Sequence, residues 1–193
     1  MNHPGESVPD DAGLTVRHRP ELPEDEAFLR EVFAGTRENE LAMLAGNAAM
    51  RQVFLNLQYQ AMRRGYAAQF PAAEFSVILL GDQRVGRQVV DRSANGWRLV
   101  DIALLPDFRH RGIGTRCLQD LLAEAAKAGQ SVRLQVFQGS PARRLYERMG
   151  FAKTGDSGPG VEMAWRPGTT EGGKPSGKEA DFSGATQSSC ENA

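Results

Sequence analysis

Arg109, Gly112 and Gly114, in the run Pro106-Asp-Phe-Arg-His-Arg-Gly-Ile-Gly-Thr115, are the residues whose types and spacing point most directly to chemistry. Glycine has no Cβ, so a ligand can approach the backbone closely. A helix that starts here presents its first N–H groups, unpaired, at the positive end of its dipole. The fitting guest is a phosphate-sized anion. The spacing is neither the Gly-x-x-x-x-Gly-Lys-Ser/Thr of nucleoside triphosphate loops nor the Gly-x-Gly-x-x-Gly of dinucleotide folds. Arg109, Arg111 and Arg116 lie in or beside the run, and guanidinium groups suit phosphate.

Such a turn needs a strand before it and a helix after it. The apolar run Trp97 to Leu105 reads as the strand. Thr115 to Ala128 reads as the helix, with Ile113, Cys117 or Leu118, Leu121, Leu122 and Ala125 on one stripe and Gly129 as its stop. Val132 to Phe137 is the next strand, and a strand-helix-strand unit of this length makes the two strands parallel. Pro141 opens a further helix carrying Leu145 and Met149, closed by Gly150. Phe151 to Thr154 and Val161 to Trp165 are short closing strands.

Upstream, Leu14 to Arg17 alternates apolar and polar residues as a first strand, ended by Pro20 and Pro23. Glu24, Asp25 and Glu26 then place negative charge at the start of a helix bearing Phe28, Leu29, Val32 and Phe33. Glu38 to Gly46 reads as a short helix or loop. Ala48 to Arg64 reads as a helix with Met50, Val53, Phe54, Leu57 and Ala61 on its apolar stripe, stopped at Gly65. Phe75 to Leu80 and Val85 to Val90 form a β-hairpin, so the first half of the sheet is antiparallel. The expected organisation is a loose leader over 1–12, one α/β domain over 13–166 and a disordered tail over 167–193.

A net charge of −1 gives no general attraction to nucleic acid or anionic lipid. Two cysteines, Cys117 and Cys190, make no disulfide framework and fit a reducing compartment. The first thirteen residues have no signal-peptide core, and no apolar run approaches the ~20 residues that span a bilayer. A cytoplasmic protein that uses no membrane is expected. No metal-ligand spacing is present.

Leu99-Val-Asp-Ile-Ala-Leu-Leu-Pro-Asp-Phe-Arg-His-Arg-Gly-Ile-Gly-Thr-Arg-Cys-Leu118 resembles the acyl-CoA-binding motif of the GNAT superfamily of N-acetyltransferases. Ser140-Pro-Ala-Arg-Arg-Leu-Tyr-Glu-Arg-Met-Gly-Phe151 is similar to that family's second motif, in which a tyrosine precedes Gly-Phe. The resemblance covers Leu14 to Trp165. It implies a mixed, splayed central sheet of about seven strands flanked by about four helices. It also implies acetyl-CoA as cosubstrate and a small-molecule or peptide amine as acceptor. The amides of Arg109, His110, Arg111, Gly112, Ile113, Gly114 and Thr115 would hold the CoA pyrophosphate, with Arg143 and Arg144 nearby. The pantetheine arm would follow Asp101 to Leu105, where the fourth and fifth strands part.

Aminolysis of a thioester needs a neutral amine, a polarised carbonyl and a protonated leaving thiol. In this resemblance a backbone N–H at Ala103 or Leu104 would stabilise the oxyanion, and Tyr146 would be the general acid to the CoA sulfur. Asp101 would draw a proton from the amine once burial raises its pKa, or it is a solvated or salt-bridged strand aspartate. Glu38 and Glu40 would attract a cationic amine or form an exposed face. Ser140 stands where the family often has asparagine, so no side-chain cofactor contact is carried onto it. An N-acetyltransferase acting by direct attack in a ternary complex is expected. Its rivals are a CoA-binding module without turnover and, disfavoured by charge, a nucleic-acid binder. Edge strands at the C-terminal end of the sheet leave room for a homodimer.

Overall fold

The structure is a computed structural model that describes residues 15–42, 47–94 and 96–168. The leader over 1–12, most of the tail and Cys190 lie outside the described residues.

The central element is a single seven-stranded sheet of order β1-β2-β3-β4-β5-β7-β6. Its strands are β1 (Val16–Pro20), β2 (Ala73–Leu80), β3 (Gln83–Asp91), β4 (Trp97–Leu104), β5 (Val132–Phe137), β6 (Ala152–Ser157) and β7 (Gly160–Trp165). Strands β1 to β4 pair antiparallel, β4 and β5 pair parallel, and β5, β7 and β6 return to antiparallel pairing. Five helices complete it among the described residues: α1 (Glu26–Gly35), α2 (Glu38–Ala42), α3 (Ala48–Gln69), α4 (Ile113–Lys127) and α5 (Ala142–Arg148). This is the expected mixed α/β class, with one helix more than expected. No helix among the described residues is long and apolar enough to cross a membrane.

Alternation along the strands divides the core between the two faces of the sheet. Ile78, Val90, Ile102, Leu104 and Leu134 meet the buried stripe of α4 (Ile113, Cys117, Leu118, Leu121, Leu122 and Ala125) and Leu145 and Tyr146 of α5. On the other face Val77 and Ala103 meet Phe28, Leu29, Val32 and Phe33 of α1 and Tyr59 of α3. Asp25 locks the entry to α1: its carboxylate accepts the Leu22 N–H (2.9 Å) and hydrogen bonds from Arg19 (2.6 and 2.8 Å) and Arg84 (3.0 Å).

Two expectations fail in α3. Gly65 does not stop the helix, which runs on to Gln69. Tyr66 and Phe70 are buried with Val89 and Val100, and that burial outweighs the roughly 1 kcal/mol that an interior glycine costs. The expected stripe also faces outward: Met50, Val53 and Leu57 are 55%, 58% and 64% exposed. The inward face carries Tyr59 and Tyr66, with Leu55 and Met62 partly buried. Tyr59 fixes the rotation by donating its hydroxyl to Glu26 Oε2 at 3.0 Å and packing edge-on to Phe33. The first strand, Val16–Pro20, includes Pro20, which an edge strand tolerates, and Leu14 lies outside the described residues.

Candidate active site

The site begins with a break in pairing. Strand β4 matches β5 only at Trp97, Arg98 and Leu99, opposite Val132, Arg133 and Leu134. Beyond Leu99 the two strands separate, while β4 stays paired to β3 as far as Leu104. Opposite Val89 and Val90 the β4 register slips by one residue, a bulge that leaves Val100 unmatched. The Leu105 N–H donates to the Val85 carbonyl at 2.9 Å. Ladder alternation therefore turns the Ala103 amide toward β3 and the Leu104 amide toward the gap. Of the two expected oxyanion donors, Leu104 faces the opening and Ala103 does not.

The chain then makes a 3₁₀ turn at Pro106–Phe108 and enters the glycine turn. His110 (φ 61°) and Gly112 (φ 81°) are both left-handed, a backbone that concentrates N–H groups into an anion-binding concavity. The first hydrogen bond of α4 runs from Arg116 N–H to Gly112 C=O at 2.9 Å. The amides of Ile113, Gly114 and Thr115 therefore precede the helix ladder.

A cleft of about 390 Å³ opens there, lined by Leu104, Arg109, His110, Gly112, Gly114 and Thr115 together with Pro141, Ala142, Leu145 and Arg148 of the second motif. The fold thus brings the two motifs to one cavity. Arg111, Ile113 and Ala103 do not line it. Ile113 and Ala103 are spent in the core, and the Arg111 guanidinium lies 5.3 Å over the Phe108 ring.

Most of the expected arginine cluster is already engaged. Arg109 folds back to donate to the Leu104 carbonyl (3.1 Å), with Glu38 3.9 Å away. Arg116 pairs with Asp120 and Arg143 with Glu147. Arg148, which sequence reasoning passed over, is the arginine of α5 that lines the cleft. Its only sequence signal was a basic residue inside the second motif.

The spacing of Tyr146 to Gly150-Phe151 has a local cause. Phe151 N–H donates to the Tyr146 carbonyl and Gly150 N–H to the Glu147 carbonyl, both at 3.0 Å, the paired bonds of a Schellman stop with glycine at φ 89°. The apolar contact that accompanies this stop is Phe151 against Tyr146, edge-on at 5.8 Å between centroids. Helix α5 therefore holds the tyrosine ring rigidly and fully buried. Ser140 Oγ accepts the Ala142 N–H at 3.2 Å, so the serine caps the start of the helix.

Asp101 lies on the opposite face of β4 and is fully buried against Arg87 of β3, whose Nε donates to Oδ2 at 2.6 Å. Burial pushes its carboxyl above the usual carboxylate range, and the Arg87 guanidinium opposes that shift. Its Oδ1 and the Arg87 Nη1 have no hydrogen-bond partner among the described residues. Glu38 is 61% exposed, and Glu40 pairs with Arg37 at 2.9 Å. Among the described residues no group of His, Cys, Asp or Glu is placed to hold a metal ion.

Residues 71–153 match the model of the acetyltransferase (GNAT) domain family. No curated protein sequence matches the chain. Among solved structures, PaiA N-acetyltransferase from Thermoplasma acidophilum, in complex with coenzyme A, superposes with a TM-score of 0.60 at 20% identity, covering 79% of this chain and 99% of that one. An acetyltransferase from Thermus thermophilus gives 0.58 at 20% identity over 79% and 97%. A GNAT family acetyltransferase from Elizabethkingia anophelis, with acetyl-CoA bound, gives 0.50 at 14% identity over 78% and 97%. At these identities the likeness is one of fold. Residues 71–153 thus resemble the acetyltransferase (GNAT) domain in sequence, and the chain shares the fold of solved GNAT acetyltransferases.

Proposed function

We propose that the domain transfers an acetyl group from acetyl-CoA to a primary amine by direct attack in a ternary complex. The observation that carries this reading is the parting of β4 from β5 beside a glycine-turn helix start, with both motifs facing one cleft. The amides of Gly114 and Thr115, with Arg148, would receive the pyrophosphate. The pantetheine arm would lie along the open edge of β4.

As the amine attacks, the Leu104 N–H would take the charge that develops on the thioester oxygen. Tyr146 would return a proton to the departing sulfur, and Asp101 Oδ1 would accept the amine proton through water. An acyl-enzyme on Cys117 is disfavoured, because burial pushes its thiol up to about 12 and removes the thiolate at neutral pH. A second reading, CoA binding without turnover, draws on the complete burial of Tyr146 and the engagement of Asp101 by Arg87. The acceptor class, small molecule or peptide, and a homodimer stay within the proposal.

Two measurements separate these readings. Saturating acetyl-CoA, but not adenosine, should raise the melting temperature by about 5 °C or more. No shift would remove the cofactor claim. Thiol release with a panel of primary amines should show intersecting initial-velocity lines. Stabilisation without thiol release would favour the module, and parallel lines would favour a covalent carrier.

A further inference from the structure

We propose that a second cavity, on the α4 side of strands β1 to β3, binds a small organic cation that also carries a hydrogen-bond acceptor and an apolar arm. The inference does not rest on acetyl transfer. The cavity measures about 410 Å³ and shares no lining residue with the cleft at the glycine turn. That volume is ordinary for a small-ligand site.

The sheet register builds it. Pro20 pairs with Ser76 and Ser76 with Gln88, so a ring, a hydroxyl and a carboxamide form one transverse row. Helix α4 closes only one side of this row. Its buried Cys117 and Leu121, with Val90 of β3, make an apolar floor. Asp120 and Glu124 stand on the helix side of the rim, and Glu74 stands on the strand side.

Three features define the guest. Gln88 is 6% exposed, and its Nε2 has no hydrogen-bond partner among the described residues. A buried amide donor left unmatched is unfavourable, and a ligand oxygen would satisfy it. Arg92 bridges Glu74 and Glu124 and Arg116 pairs with Asp120, while the guanidinium of Arg19, which also lines the cavity, is taken up by Asp25 outside it; this leaves three carboxylates against two guanidinium groups at the rim. His18 adds no competing cation, because burial holds its imidazole below the ordinary histidine value despite Asp120 and Glu124, with Arg92 acting in the same direction as burial. An ammonium for the rim, a carbonyl for Gln88 and a hydrocarbon arm for the floor describe an amino-acid amide.

The test is a titration of the full chain with L-leucinamide at pH 6.5, without acetyl-CoA, followed by ¹H–¹⁵N correlation spectra. Saturable shifts are expected at the Gln88 side-chain amide, His18 and Cys117, with half-saturation in the millimolar range for so small a ligand. Gln88→Leu, which removes the unmatched donor, should weaken binding about tenfold without lowering the melting temperature. Glu124→Gln, at an exposed rim position, should weaken it by a few-fold and reduce its salt dependence. The proposal is overturned by the absence of saturable shifts, by shifts confined to Glu38–Ala42 and Leu104, or by unchanged affinity in both variants.

Discussion

The two edges of β4 behave differently. Along β3 it is matched at six positions, from Arg98 to Leu104, and strapped diagonally by the Arg87–Asp101 ion pair. Along β5 it is matched at three and then released. The matched edge is a template and the released edge is the proposed site. A free backbone N–H can be held still for catalysis only if the other side of its strand cannot move.

Breaking the strap should have the largest effect. Asp101→Asn leaves a buried guanidinium without its counter-charge and should cost about 3 kcal/mol of stability in thermal unfolding. Pairing it with Arg87→Met should recover much of that loss. If stability returns but turnover does not, the carboxylate serves the chemistry; if both return, Asp101 is only a strap.

On the released edge, Gly114→Glu places a carboxylate where the phosphates are proposed to sit. It should weaken acetyl-CoA binding by roughly 100-fold in calorimetry. Unchanged affinity would move the cofactor elsewhere. Tyr146→Phe should lower kcat by about 100-fold with the melting temperature nearly unchanged. An unaltered rate would leave the tyrosine as the packing partner of Phe151 and nothing more.

Smaller effects sharpen the template side. A Cβ at Gly86 would lie 2.7 Å from Leu104 Cδ2 and closer still to the Ala103 carbonyl oxygen, so Gly86→Ala should cost about 2 kcal/mol and disturb the Leu104 amide. A stable variant with normal turnover would show that this edge yields. Farther out, Arg19, with Arg84 and the Leu22 N–H, holds Asp25 below the usual carboxylate range. A depressed carboxyl contributes stability above its unfolded value near ~4 and loses it as pH falls toward the folded value. Asp25→Asn should therefore cost about 1–2 kcal/mol near neutrality and flatten the fall in stability below about pH 5. An unchanged slope would mean the pair contributes little.

Much of the site was legible because its determinants are local. Gly112 is needed where the backbone turns left-handed just before the helix starts, and Tyr146, Gly150 and Phe151 are one helix stop with its own hydrogen bonds. Arg148 and Gly86 were not legible. Lining a cleft and lacking room for a Cβ are relations to residues far along the chain. The α3 stripe misled for the same reason. Met50, Val53 and Leu57 have the period of a buried face, and Tyr59, held by Glu26 and Phe33 of α1, turned that face to solvent.

By itself, then, the sequence determined the strands and helices about the glycine turn, their parallel crossover and the family they resemble, since propensity, turn chemistry and spacing act over a few residues. Tertiary structure decided which amide of β4 faces the gap, that Asp101 is tied to Arg87, where the arginines point, and that a second cavity lies behind α4. Each of these is set by strand register and by which faces find a partner, and those are fixed only when distant segments pack.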